Sequence, residues 1–195
     1  MLENILNKRR VSSKISITVK SVVSAGLVAL AIILPQLIHA VAGAEGGAKW
    51  MPMYFPVLLG GCLLGIKWGM CVGVLSPIVS YLVTLTAGTP MPAASRLPFM
   101  IIELAVFAAV SGSFGKMIEN NAFAAFPAVL LAQTCGRAAF MLSAVIFRGV
   151  APFAPAEVWA QIQSGLFGLV LQAVSAPLIV IGLKYLYYRN DENRY

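Results

Sequence analysis

Six stretches of this chain run apolar long enough to enter or cross a bilayer, with short polar clusters between them: residues 17–42, 53–66, 68–87, 98–117, 122–147 and 158–187. A hydrocarbon core about 30 Å thick takes roughly 20 apolar residues in helical form, so each stretch predicts a helix. The second is short. Pro52 precedes it, and "GIKWG" (Gly65 to Gly69) turns it straight into the third, which predicts a tilted or partly spanning segment. Two intervening stretches, "GAEGGAKW" from Gly43 and "GTPMPAASRLP" from Gly88, hold residues that break regular structure; they read as connectors or as lids over a site. No internal repeat and no long linker divides the chain. The expected architecture is an all-α membrane protein, a compact bundle of six transmembrane helices in one domain over 1–195, with a basic segment at 1–16 and a tail at 188–195.

Composition agrees with the pattern. Hydrophobic residues make up 59% and charged residues 11%, and the mean hydropathy is +0.86, well outside the range of soluble domains. In such a chain the net charge of +7 serves topology and headgroup contact rather than nucleic acid. The first apolar run follows "NKRRVSSK" and offers no convincing cleavage signal, so it reads as a retained helix. Cys62, Cys71 and Cys135 lack metal-ligand spacing and read as small core hydrophobes; neither a metal nor a cofactor is expected.

Charge distribution then orients the bundle. With both ends on one side, that side receives Lys8, Arg9, Arg10, Lys14, Lys20, Lys67, Lys116, Lys184, Arg189 and Arg194, while the other loops receive only Lys49, Arg96 and Arg148. The positive-inside rule therefore predicts cytoplasmic termini and outward-facing loops at 43–52, 88–97 and 148–157.

Within this frame two charges fall inside apolar helices. At 1.5 Å per residue, Glu103 in "LPFMIIELAVF" lies about 8 Å below the outer end of the fourth helix, and Arg137 lies some ten residues down the fifth. Two readings stand: the two charges neutralise each other between helices, or one or both reach a polar cavity and a solute. Arg96, Phe99 and Glu103 share a helix face, as do Gln133 and Arg137, with Thr134 beside them. Gln161, Gln163 and Gln172 carry amides into the sixth helix, and His39, Trp50 and Tyr54 stand at the outer ends. Each has a plainer alternative: belt anchors for Trp50 and Tyr54, a helix end for His39, interhelical glue for Gln172. Their convergence on the outer half of several helices favours a binding site.

Catalysis has little support. There is one histidine, no His-Glu-x-x-His, no Gly-x-Ser-x-Gly and no Walker A loop, so the chain is not expected to be an enzyme or to hydrolyse ATP. The competing classes are an intramembrane enzyme built on Glu103 and His39, and a transporter acting alone. Near the other end of the first helix, Ala25, Gly26 and Ala29 form a small-residue face suited to internal packing or to a membrane partner.

The runs "MPMYFPVLLGGCLLGIKWGMCVGVLSPIVSYLVTLTAGTPMP" and "LPFMIIELAVFAAVSG" resemble the substrate-binding S components of energy-coupling factor (ECF) vitamin transporters. They are similar to members with "MPMHxPVLLxG", "SPxxSxLxTGxPP" and "PFMxxELAxYGxxSG" at these places. The likeness is close over roughly 50–115, and helix number and length agree throughout. It implies a subunit of the prokaryotic cell membrane that captures a vitamin or precursor in the outer half of the bundle, under loop lids. It also implies docking through Ala25 and Ala29 on a transmembrane coupling subunit, with two cytoplasmic ATPases driving reorientation. Tyr54 stands where the pattern has histidine, and "TAGTPMP" (Thr86 to Pro92) lengthens the next loop; both border the expected pocket and bear on ligand identity. If Arg137 is free, a carboxylate-bearing vitamin such as pantothenate suits its guanidinium; if Glu103 occupies it, a neutral or cationic ligand fits equally.

Overall fold

The computed structural model describes residues 12–147 and 155–192. Among these there is no strand. The chain runs α1 (Ser13–Trp50), α2 (Tyr54–Thr86), α3 (Leu97–Ser113), α4 (Gly115–Asn120), a 3-10 turn (Ala122–Ala124), α5 (Ala125–Ile146), α6 (Pro155–Ser164) and α7 (Leu166–Glu192). Four helical stretches are long and apolar enough to cross a membrane: Ser13–Gly43, Ile66–Thr86, Ala122–Ile146 and Leu166–Tyr187. Two shorter apolar helices, Tyr54–Leu64 and Leu97–Ser113, complete the set, the first only ~17 Å long.

Glycines break the two longest helices. Gly65, at φ 80 and ψ −175, divides α2 into Tyr54–Leu64 and Ile66–Thr86; this backbone region is almost closed to residues with a Cβ. The break folds the two arms against each other so closely that a Cβ on Gly69 would lie 2.8 Å from Gly61 Cα. Gly43, at φ 66 and ψ −169, breaks α1 in the same way. Here the structure departs from the expected irregular connector at 43–52: the chain resumes helix through Trp50, and Met51 ends it in the left-handed region at φ 45, its N–H bonded to the Gly47 carbonyl at 3.1 Å. A run rich in glycine predicts a non-helical connector, yet packing against His39 earlier in α1 and against α7 outweighs a propensity cost of about 1 kcal/mol per glycine.

Other boundaries shift for local reasons. The expected fourth segment, 98–117, turns at Phe114 into α4, and the expected sixth, 158–187, divides at Gly165 into α6 and α7. Helix begins at Ser13, inside the expected basic segment 1–16, and continues to Glu192, inside the expected tail. Arg148 and Arg194, like Lys8, Arg9 and Arg10, lie outside the described residues. Pro98 occupies the first turn of α3, where its missing N–H costs nothing. Lys184 on α7 donates to the Glu119 carbonyl at 2.6 Å, satisfying an orphan at the end of α4.

The core lies where α2, α3 and α5 meet, around Leu58, Cys62, Leu104, Phe107, Val129 and Phe140, all buried. The perimeter is apolar instead of charged: Ile33, Leu37, Leu82, Leu131, Leu142 and Leu178 are exposed. In water such a surface would be an aggregation liability; against acyl chains it is the expected finish.

Candidate functional site

At the end of the bundle where α1 breaks, a cavity of about 370 Å³ opens between the Gly47–Tyr54 stretch, the 88–96 loop, α3, α5 and α6. Its wall is largely apolar, with Met51, Met53, Met91, Met100 and Phe140, and stiffened by Pro35, Pro52, Pro90 and Pro92. Its polar groups are few: His39, Tyr54, Ser80, Arg96 and Gln161. Size, apolar lining and a few placed polar groups are what a small-molecule site requires. Among the described residues that line it, Arg96 is present and Asp and Glu are not.

Two covers border this end. The helix after Gly43 sits on α1 itself, so tightly that a side chain on Gly47 would run into the His39 ring. The 88–96 loop is fastened to α2 by hydroxyls: Thr84 Oγ1 accepts from the Met91 N–H at 2.7 Å, and Ser80 Oγ donates to the Met91 carbonyl at 2.9 Å. Thr84 and Ser80 lie one helical turn apart, so both reach the same residue.

Beneath the cavity Glu103 and Arg137 meet, the first of the two arrangements that the sequence leaves open. Glu103 is fully buried, and its Oε1 stands 2.9 Å from Arg137 Nη1. Its Oε2 accepts from the Tyr54 hydroxyl at 2.7 Å. The guanidinium lies over the Tyr54 ring, 4.7 Å from its centroid, in cation–π geometry, and Nη2 points at Met51 Sδ. Phe107 packs against the Tyr54 ring in a tilted contact, centroids 5.2 Å apart. Met51 and Tyr54 face the cavity with one surface and the ion pair with the other, so Glu103 and Arg137 sit one side chain behind the wall.

The remaining candidates divide. His39, Tyr54 and Arg96 line the cavity. Phe99 is buried beside it, edge-on to Phe140 at 6.4 Å and Phe147 at 6.2 Å. Trp50, 39% exposed, packs edge-on against Phe167 at 5.1 Å. Gln133 Nε2 donates to the Leu169 carbonyl at 3.0 Å, while Gln172 Nε2 donates to the Trp50 and Met51 carbonyls at 3.1 and 2.9 Å, tying the end of α1 to α7. Thr134 and Gln163 are exposed, the former bonded back to the Leu130 carbonyl. Ala25, Gly26 and Ala29 are exposed, with open space around Gly26.

Sequence reasoning missed the methionine and proline wall and the Ser80–Thr84 fastening; Gln161, noted among the amides of the sixth segment, is the one that reaches the cavity. The recurrence of proline and methionine in "WMPMYFP" and "TPMP" was the available signal. No cluster of metal-ligating side chains occurs among the described residues.

Comparison with curated proteins and with solved structures returned no match. Comparison with protein families matched residues 19–190, nearly the whole chain, to the ECF transporter substrate-specific component. That span includes every helix that forms the cavity. The chain belongs to this family, and is a multi-pass membrane protein and a substrate-binding subunit of an ECF transporter, which works with coupling and ATPase subunits.

Proposed function

We propose that this subunit captures a vitamin or related micronutrient from outside a prokaryotic cell, in the cavity beneath the Gly43–Trp50 helix and the 88–96 loop. The chain forms a single domain whose six apolar segments act as membrane helices, with both termini in the cytoplasm and the cavity in the outer half. The observation that carries the reading is the cavity's place: it lies at the end of the bundle that the charge bias predicts to be outside, bordered by two covers of different construction. His39, Tyr54, Arg96 and Gln161 offer the polar contacts to the solute, with Glu103 and Arg137 behind them.

Release inward then depends on partners. The exposed Ala25, Gly26 and Ala29 face offers a close approach for a transmembrane coupling subunit, and two ATPases supply the work of reorientation. Pantothenate, whose carboxylate suits a guanidinium, is the ligand this reading puts forward. The reading is tested by a thermal-shift panel of water-soluble vitamins on the purified subunit, followed by uptake of any stabilising compound in cells with and without the coupling module. Binding by the subunit alone with uptake only in the full assembly is expected. Uptake by the subunit alone favours a solitary transporter, and turnover that requires Glu103 or His39 favours an enzyme.

A further inference from the structure

Arg137 is only half satisfied. A guanidinium is a planar fork whose Nε and Nη2 lie on one edge and can grip a carboxylate with two parallel bonds. In this structure Glu103 faces Nη1 alone. Nη2 meets the Met51 thioether, a weak acceptor, and Nε has no partner at all; Nη1 faces Glu103 Oε1 as an ion pair without hydrogen-bond geometry, although the side chain is 93% buried. Buried donors are nearly always paired, so an oxygen acceptor is missing from this edge.

Met51 is also part of the cavity wall. It sits at the left-handed turn between the α1 cover and α2, its carbonyl held by Gln172 and its methyl pressed on Gly165. An unbranched side chain with three rotatable bonds leaves such a position by a change of rotamer, without disturbing the backbone. We infer that the Nε–Nη2 edge of Arg137 is a carboxylate subsite of the cavity, plugged by Met51 until the ligand's anionic group displaces it. The inference rests on the reading that the cavity captures a solute, and it narrows the solute to one with a carboxylate or similar planar anion. Glu103 then orients Arg137 by holding Nη1, so the carboxylate and the ligand occupy different edges.

The test uses the full-length protein in nanodiscs with methionine methyls labelled by carbon-13, the Met51 resonance being assigned from Met51→Leu. Propionate and propionamide are the probes. Propionate is expected to shift the Met51 methyl saturably, with propionamide at least about tenfold weaker, since charge-assisted bonds exceed neutral ones by that margin. Arg137→Lys, which keeps the charge beside Glu103 but loses the edge, is expected to weaken propionate about tenfold or more. Met51→Ala, followed through the Met53 and Met100 methyls, is expected to bind propionate more tightly. No propionate response, an equal response to propionamide, or unchanged binding in Met51→Ala overturns the subsite even if the lysine variant does not fold. The vitamin panel separates the two levels of reading. Stabilisation only by vitamins without an anionic group overturns the subsite and leaves solute capture standing. No stabilisation by any vitamin, with the propionate response intact, overturns vitamin capture and keeps the carboxylate subsite.

Discussion

Replacing Glu103 with leucine preserves most of the side-chain volume and removes the charge that faces Arg137. The guanidinium is then left in a buried site with a thioether at Nη2 and the Tyr54 ring beneath it, and the Tyr54 hydroxyl loses its acceptor. Breaking a buried pair from one side costs about 3–5 kcal/mol. The cation–π contact remains and offsets at most about 2 kcal/mol of a fully unpaired charge, so a loss of roughly 3 kcal/mol is expected. Removing both partners in Glu103→Leu with Arg137→Met leaves only the Tyr54 hydroxyl unsatisfied, which costs about 1–3 kcal/mol. The double variant is therefore expected to be no less stable than Glu103→Leu alone, giving a large favourable coupling in the double-mutant cycle. Reversible unfolding in mixed detergent and SDS micelles, followed by circular dichroism, measures all four corners. Losses that simply add, or a Glu103→Leu variant within about 0.5 kcal/mol of the parent, would refute the claim that the two charges depend on each other.

Three further outcomes follow from particular residues. Gly65→Ala meets no atom within 4 Å, so its expected loss of about 1–3 kcal/mol, read in the same unfolding assay, is purely the cost of the backbone angles. Thr84→Val removes the hydroxyl that holds Met91; hydrogen exchange across 88–96 is expected to speed up about fivefold or more while exchange in α3 stays unchanged. Gly26→Leu, placed in open space, is expected to leave vitamin binding by the isolated subunit intact but to prevent co-purification with the coupling module.

What the sequence made legible was whatever depends on periodicity and depth. The apolar runs located most of the helices within a few residues, the sixth dividing at Gly165, because a long apolar run is buried or presented to lipid as helix. The approach of Glu103 to Arg137 followed from counting residues down two helices from a common end. Other features depend on contacts that no local pattern encodes. Helix after Gly43 forms because Gly47 rests on His39 and because Gln172, from α7 far along the chain, holds the carbonyls of Trp50 and Met51. The same tertiary demand turned Gln133 and Gln172 to backbone carbonyls and placed Met51, an unremarked methionine, between the ion pair and the cavity. Tyr54 was read from its position near the outer surface, but its bond to Glu103 depends on Gly65 folding the short arm of α2 inward.

The central claim, that the cavity under the Gly43 helix and the 88–96 loop captures a small solute, is tested most directly by native mass spectrometry of the subunit purified in detergent and incubated with a mixture of water-soluble vitamins and their precursors. A single retained molecule, lost together with the integrity of the cavity in a variant that fills it, such as Met100→Trp, is the predicted result. A protein that emerges bare after incubation, or retains the same molecule with the cavity filled, would contradict it.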